Sequence, residues 1–189
     1  MYSNAFQKRQ LSIFYSVGSK PLRNWSIFVN SGTLKRITDN VIKSLVLEFQ
    51  ATNIANNYIS CPKDPNEILA IRMPYFIMLF KNTNKAFSFE LEIGDDKGFN
   101  RRFRVSTFNS TTVAQTFAAS LPLNVSPGWN TIMFDMRRLM QSLYGAKFYQ
   151  VTRIKIHANC SLRRIYFSDR LYQDTELKDE FKLIVPTKS

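Results

Sequence analysis

Apolar and polar residues alternate one by one over most of this chain, and a period of two is typical of strands that bury one face. The clearest segment is AFSFELEI, which runs from Ala86 to Ile93. Its apolar residues all fall on one face: Phe87, Phe89, Leu91 and Ile93. Its polar residues fall on the other: Ser88, Glu90 and Glu92. The pattern predicts a strand with one face in a hydrophobic core and one face toward solvent.

Other segments show the same alternation: LSIFYSV (11–17), SLVLEF (44–49), RRFRVS (101–106), WNTIMFDM (129–136) and VTRIKIHA (151–158). SLVLEF is expected to place Leu45, Leu47 and Phe49 on one face. In contrast, the segment ILAIRMPYFIMLF (68–80) is apolar on both faces. Such a run is typical of a central strand, or of two consecutive strands separated here by Pro74.

Helical signals are few. The segment DMRRLMQSLYG, from Asp135 to Gly145, begins with an acidic residue, carries apolar residues at helical spacing and ends in glycine. These features predict a short helix. The segment DTELKDEF, from Asp174 to Phe181, is expected to form one or two helical turns.

Many short strands separated by turns predict an all-β fold, an antiparallel two-sheet β-sandwich of jelly-roll type with one or two short helices. The 189 residues show no repeat and no linker. A single domain over residues 1–189, with short N-terminal and C-terminal extensions, is therefore expected. A hydrophobic content of 44% excludes a disordered chain.

The charge is strongly asymmetric, with 26 Lys and Arg against 14 Asp and Glu and a formal net charge of +12. This excess favours an acidic partner, such as nucleic acid, an anionic membrane surface or an acidic protein polymer. No signal peptide is recognisable, and the longest apolar run, MPYFIMLF (73–80), is too short to span a bilayer. The expectation is a soluble intracellular protein that does not bind a membrane.

The stretch RIKIHANCSLRRIYFSDRLY (153–172) contains the one histidine, His157, followed by Cys160. Alternation places His157 on the solvent face beside Arg153 and Lys155. One histidine and two cysteines without a CxxC motif are too few ligands for a zinc site. A structural or surface role is therefore expected for His157 and Cys160, with no metal, no cofactor and no disulfide between Cys160 and Cys61.

Motifs of an enzyme are missing from the sequence, which has no phosphate-binding loop and no GxSxG elbow. Glu90 and Glu92 lie at a spacing that jelly-roll glycosidases use for an acid and a nucleophile. Strand alternation explains the same two residues as a polar face. The sequence therefore predicts a protein that is not an enzyme.

Basic residues occur in several short clusters, which are predicted to form a partner-binding surface: Lys35, Arg36, Arg101, Arg102, Arg104, Arg137, Arg138, Arg163, Arg164 and Arg170. Arginine predominates, and its planar guanidinium pairs with carboxylates and phosphates in bidentate geometry. Within RRFRVS, Arg102 and Arg104 are predicted to point outward, while Phe103 and Val105 anchor the strand in the core.

Several stretches together resemble the cilia- and flagella-associated protein 20 family: YSVGSKPL, LKRITDN, SLVLEF, CPKDP, DDKGFNRRFRVSTFNSTT, GWN and RIKIHANCSLRRIYFSDRLY. They follow one another in order from about Phe6 to about Pro186. The combination of IHANC with RRIYFSDRLY is highly specific, so a chance similarity is not expected.

The resemblance implies a β-sandwich similar in shape to carbohydrate-binding modules and without enzymatic activity. It implies a place in the axoneme and basal body, at the inner junction of doublet microtubules, where the B-tubule closes onto the A-tubule. The implied partners are α/β-tubulin of both tubules, the Parkin co-regulated protein and other luminal proteins. Tubulin is acidic, above all in its C-terminal tails, which agrees with the basic charge of this chain.

Two other functions stay open at the level of sequence. Basic charge also suits a nuclear protein that binds nucleic acid, although the sequence has no RRM signature, KH loop or zinc-finger spacing. A carbohydrate-binding module would need a row of exposed aromatic residues on one sheet face. Trp25 and Trp129 are too far apart in sequence to show such a row.

Overall fold

A computed structural model describes residues 1–183, which form two β-sheets and one short α-helix. The first sheet has six strands: β1 (Gln10–Tyr15), β3 (Thr33–Asp39), β4 (Ser44–Gln50), β6 (Tyr75–Asn82), β11 (Gly128–Asp135) and β13 (Cys160–Ser168). Their order across the sheet is β11-β6-β13-β4-β3, and β1 also pairs with β13.

The second sheet has seven strands: β2 (Ser26–Val29), β5 (Asn57–Cys61), β7 (Ser88–Asp95), β8 (Asn100–Ser106), β9 (Val113–Ala114), β10 (Ala118–Pro122) and β12 (Phe148–His157). Their order is β2-β5-β12-β7-β8-β10-β9. The predicted all-β sandwich is confirmed. One pairing differs from the antiparallel expectation, because β10 runs parallel to β8 after the chain has turned back through the short β9–β10 hairpin.

The core between the sheets is built from the alternating apolar positions. Phe87, Phe89, Leu91 and Ile93 are all buried, as the pattern predicts. The apolar segment 68–80 ends in β6, which lies between β11 and β13 and is buried on both faces, so the prediction of a central strand is confirmed. Of the three residues predicted to share a face of β4, Leu47 and Phe49 are in the core, whereas Leu45 at the strand end is 37% exposed.

The helix α1 (Met136–Tyr144) confirms the predicted segment together with both of its end signals. The side chain of Asp135 accepts hydrogen bonds from the backbone N–H groups of Arg137 and Arg138, which satisfies two free donors of the first turn. Gly145 ends the helix in the left-handed conformation, at a φ of 58°.

The chain after β13 folds back over the outer face of the first sheet, and we call residues 169–183 the C-terminal strap. Phe181 and Leu183 pack there on a small apolar cluster of Ile77, Leu79 and Tyr166. Part of the predicted helical segment 174–181 forms a 3-10 turn, Asp179–Phe181. The expected C-terminal extension beyond residue 183 lies outside the described residues. No helix within residues 1–183 is long and apolar enough to cross a membrane.

Candidate functional site

The outer face of the second sheet carries an ordered array of charges, which we call the charged face. Strands β12, β7 and β8 are neighbours, and their register aligns two rows of side chains: Lys155–Glu90–Arg104 and Arg153–Glu92–Arg102. Each glutamate therefore lies between two basic residues on the flanking strands. Opposite charges on neighbouring strands stabilise a sheet, and four basic residues against two acidic ones leave the face positive.

Glu90 is the centre of this array and is only 4% exposed. Its carboxylate lies 3.0 Å from Nη2 of Arg104, 3.3 Å from Nε2 of His157 and 3.8 Å from Nζ of Lys155. Burial alone would raise the pKa of Glu90, but hydrogen bonds from His157 and Arg104 outweigh it and lower the pKa to about 2. Glu90 is therefore held as a carboxylate inside a cluster of cations.

His157 is not on a solvent face, so that prediction is wrong. The residue is 7% exposed, and its Nδ1 lies 2.7 Å from the carbonyl oxygen of Ile54, in the loop between β4 and β5. Alternation correctly assigned His157 to the outer side of the sheet, but this loop and the ring of Tyr58 cover it. A carbonyl and a carboxylate only accept hydrogen bonds, so the doubly protonated ring makes both contacts and a neutral ring makes one.

The two glutamates do not have the properties of a glycosidase pair. A general acid needs a raised pKa, whereas the pKa of Glu90 is lowered to about 2. Glu92 is engaged with Arg102, at 3.3 Å between Oε1 and Nη2. The arrangement is that of structural ion pairs.

Cys61 and Cys160 are both free thiols and fully buried. Burial raises the pKa of Cys61 to about 12 despite the nearby Arg153, and burial also raises the pKa of Cys160. Neither side chain is therefore an accessible thiolate. Within residues 1–183, no group of three or more His, Cys, Asp or Glu residues is placed to hold a metal ion.

The predicted basic residues separate into several groups. Arg102 and Arg104 lie on the charged face with side chains 52% and 53% exposed, as alternation predicts, while Phe103 and Val105 are in the core. Arg101, which is also predicted to belong to the partner-binding surface, is mostly covered. Its side chain is 11% exposed, pairs with Asp95 and lies over the ring of Tyr144 at 4.4 Å.

A second basic group lies on the first sheet around Ser16. Arg36 donates a 2.8 Å hydrogen bond to the carbonyl oxygen of Ser16, and Arg163 approaches the hydroxyl of the same residue at 3.4 Å. Lys35 precedes Arg36 on the edge strand β3 and pairs with Glu48 at 3.5 Å. The structure thus brings Arg36 together with Arg163, which is far from it in sequence, and we call Lys35, Arg36 and Arg163 the edge cluster.

Three of the remaining predicted residues are exposed but differ in whether they already contact another side chain. Arg137 and Arg138 are exposed on the first turn of α1, and Arg137 donates a 3.0 Å hydrogen bond to the hydroxyl of Tyr75. Arg170 is exposed but is already paired with Glu176 at 2.7 Å.

Arg164 was predicted to belong to the partner-binding surface, but it is only 3% exposed. Its guanidinium lies between the rings of Tyr15, at 3.6 Å, and Phe181, at 4.5 Å, and it also pairs with Glu180 at 3.3 Å. The C-terminal strap provides two of these contacts, and no local sequence pattern shows that the strap folds back over β13. Arg164 therefore holds the strap in place and is not available to a partner.

Neither tryptophan contributes to an exposed aromatic row. Trp25 is buried and its indole N–H donates to the carbonyl oxygen of Ile13 at 3.0 Å. The indole N–H of Trp129 donates to Asp39 at 3.1 Å. Trp25 thus serves the packing of the sandwich, and the indole of Trp129 is engaged by Asp39.

The comparison with protein families gives a match to the CFA20 domain over residues 1–185. Curated relatives named cilia- and flagella-associated protein 20 match along the full length. The relative from Chlamydomonas reinhardtii is 47% identical over 186 residues, which is 98% of each chain. The relative from Caenorhabditis elegans is 47% identical over 188 residues, covering all of this chain and 93% of its own.

Among solved structures, a family 30 carbohydrate-binding module covers 98% of this chain at 12% identity, with a TM-score of 0.44, which is too low to bear on function. The curated relatives carry far more weight, because they combine high identity with full coverage. A further relative, from Paramecium tetraurelia, is also 47% identical, over 186 residues that cover 98% of this chain and 97% of its own. The chain therefore belongs to the cilia- and flagella-associated protein 20 family.

Proposed function

We propose that this chain is a non-catalytic structural protein of the axoneme that bridges A-tubule and B-tubule protofilaments at the inner junction of doublet microtubules. Membership of the family supports an association with cilia and flagella. The observation that carries the bridging role is the placement of exposed basic residues in both layers of the sandwich. The charged face belongs to the second sheet, and the edge cluster belongs to the first.

Bridging two acidic protofilaments needs two cationic surfaces that do not compete for the same contact. Exposed ion pairs contribute roughly 0–1 kcal/mol each, so one protein would hold only weakly. Copies that repeat along a polymer gain from avidity, because each neighbour keeps the next one close to its site. The Parkin co-regulated protein and other luminal proteins are the proposed neighbours in this repeat.

The helix α1 gives independent support for a binding role. Its first turn carries Arg137 and Arg138 and no acidic residue, although the N-terminus of a helix favours negative charge. Within residues 1–183, Arg138 makes no ion pair that would compensate this placement. Arg137 is engaged by Asp135 and Tyr75, so Arg138 is the arginine whose position an acidic partner explains better than stability does.

Co-sedimentation with microtubules tests the proposal. We expect the protein to pellet with microtubules, to be released as salt rises, and to bind less to microtubules whose C-terminal tails have been removed. RNA at matched salt is the competing ligand. Retention on RNA together with failure to pellet would favour the nucleic-acid alternative and contradict the proposal.

A pair of matched variants separates specific contacts from net charge. Arg102→Gln with Arg138→Gln removes two charges from the proposed surface. Lys97→Gln with Lys147→Gln removes two charges from exposed positions outside the predicted clusters. We expect the first variant to need a higher protein concentration for half-maximal pelleting than the second. Equal loss in both variants would mean that only the overall charge matters.

A further inference from the structure

One cleft of the molecule differs in charge from the rest of the surface. It has a volume of about 500 Å³ and lies at one end of the second sheet. Its walls are the loop of residues 62–69 and the turn of residues 95–99 between β7 and β8, and the outer sides of β7 and β12 form its floor. We propose that this cleft binds an extended segment of a partner protein that carries arginine or lysine side chains.

Carboxylates are concentrated here although the protein as a whole is strongly basic. Glu67 lines the cleft from the loop, Asp96 from the turn and Glu92 from the floor. Glu67 and Asp96 are exposed, and neither makes an ion pair in the described part of the chain. In a protein with 26 basic and 14 acidic residues, carboxylates left without a cation are a minority, and two of them face this cleft.

The basic side chain that lines the cleft does not pair directly with these carboxylates. Arg153 uses its guanidinium to bind the loop, donating to the carbonyl oxygens of Pro62, Asp64, Pro65 and Glu67 at 2.8–3.2 Å. Its donors are therefore occupied by backbone. Because Glu92 is paired with Arg102, the carboxylates that the cleft offers to a ligand are those of Glu67 and Asp96.

Apolar side chains at the rim of the cleft provide a surface against which arginine and lysine side chains of a basic segment can pack. Phe99 is 48% exposed, Tyr149 is 49% exposed and Ile68 is 44% exposed, and all three line the cleft. Aromatic faces bind guanidinium and ammonium groups, and they also pack against the aliphatic stems of arginine and lysine. Carboxylates beside exposed aromatic rings thus match both parts of these side chains.

The cleft is rigid on both sides before any ligand arrives. Arg153 fixes the loop, as described above. In the turn, the carboxylate of Asp95 accepts hydrogen bonds of 2.9 Å from the backbone N–H groups of Lys97 and Phe99, and Gly98 adopts a φ of 86°. A preformed site loses less conformational entropy on binding. The volume falls in the range of small ligand sites, so a few residues of extended chain would fill it.

This inference does not depend on the proposed contact with tubulin. The cleft shares Glu92 and Arg153 with the charged face, but Glu67 and Asp96 lie outside that face and outside the edge cluster. The two activities therefore depend on different residues. Loss of one therefore leaves the other measurable, and microtubule pelleting serves as a control for the integrity of the protein.

The test is an NMR titration of the full-length protein with the peptide acetyl-GRGRG-amide. We expect backbone amide shifts confined to the cleft, around residues 66–68, 96–100 and 149–150. Glu67→Gln with Asp96→Asn should weaken the affinity about tenfold or more, because two charge-assisted contacts are lost. The matched control, Asp174→Asn with Asp179→Asn, removes the same charge from the C-terminal strap and should bind like the wild type.

Two further measurements distinguish a basic peptide from other ligands of the cleft. Phe99→Ser with Tyr149→Ser keeps the carboxylates and should also weaken binding, while the peptide acetyl-GEGEG-amide should not shift the cleft residues. Shifts spread over the surface, or an unchanged affinity in the Glu67 and Asp96 variant, would overturn the proposal. Cleft shifts caused by the acidic peptide or by a neutral cello-oligosaccharide, in place of the basic peptide, would overturn it as well.

Discussion

The charged face combines exposed side chains, which can contact a partner, with one buried carboxylate, Glu90, which stabilises the fold. Its carboxylate contacts Arg104 from β8, Lys155 and His157 from β12, and it is nearly inaccessible to solvent. Removing one partner of a buried ion pair leaves the others without compensation. Reversing the charge of Arg104 would therefore destabilise the protein, and variants at Arg102, whose partner Glu92 is more exposed, are the better probes of binding.

Glu90→Gln is expected to destabilise the fold by about 1–3 kcal/mol, because Arg104 and Lys155 lose the negative charge that they pair with. Chemical denaturation at neutral pH measures this change. Glu92→Gln, the neighbour in the same strand, serves as the control and should change stability by less than about 1 kcal/mol. Equal effects in the two variants would show that burial of Glu90 has no energetic consequence.

Glu90 also makes a specific contribution to stability against acid. Its pKa in the folded state, about 2, lies below the ordinary value of 4.5. Ionised Glu90 thus stabilises the fold fully above about pH 4.5, and this stabilisation is lost as pH falls toward 2. The difference in unfolding free energy between wild type and Glu90→Gln should shrink over this pH window. A constant difference down to pH 2 would contradict the assignment.

At the scale of elements, the helix α1 separates binding from stability. Arg138 is the third residue of the first turn, where a glutamate favours the helix dipole and can complete a capping box with Asp135 at the N-cap. Arg138→Glu is expected to leave stability unchanged or to raise it by up to about 1 kcal/mol, while it weakens pelleting with microtubules. Thermal unfolding and co-sedimentation of the same preparation measure both effects. A gain in stability with unchanged pelleting would show that α1 does not contact the microtubule.

Arg153 controls the conformation of the loop formed by residues 62–69. Its four donated hydrogen bonds are absent in Arg153→Met, which keeps a long apolar stem. Hydrogen exchange of the amides of residues 63–68 should become faster, because the loop loses its anchor. Arg102→Met, on the same face of the sheet, is the matched control. If the amides of residues 63–68 exchange at the same rate in both variants, the guanidinium of Arg153 does not hold the loop.

Local patterns predicted those elements whose signals lie within one segment. Alternation in AFSFELEI is sufficient for the core face of β7, which depends only on the period of a strand. The opposite face is predicted toward solvent, but Ser88 and Glu90 on it are each only 4% exposed. Asp135 and Gly145 bound α1 because caps act on the nearest turn. His157 and Arg164 were misplaced because the groups that cover them, Ile54 and Phe181, belong to segments remote from their own strands. Burial by a distant loop or strap leaves no trace in a local pattern.

The cleft illustrates the same limit at the level of a site. Glu67, Asp96 and Tyr149 come from three separate segments, and only the sheet order β5-β12-β7-β8 brings them together. An excess of unpaired carboxylates cannot be recognised until the ion pairs of the other acidic residues are known.

For the whole molecule, we propose that the sandwich bridges two tubules with basic surfaces from both of its layers. The relative from Chlamydomonas reinhardtii is 47% identical over nearly its entire length, so that organism offers a place to test the claim. The cell's own relative would be replaced by this chain carrying a small tag, and the doublets would be imaged by cryo-electron tomography with subtomogram averaging.

We expect tag density at the inner junction, repeating along the doublet between the A-tubule and B-tubule walls. The edge cluster should face one protofilament and the charged face the other. Tag density elsewhere in the cilium, a nuclear signal without ciliary density, or a position at the junction with both basic surfaces turned away from tubulin would contradict it.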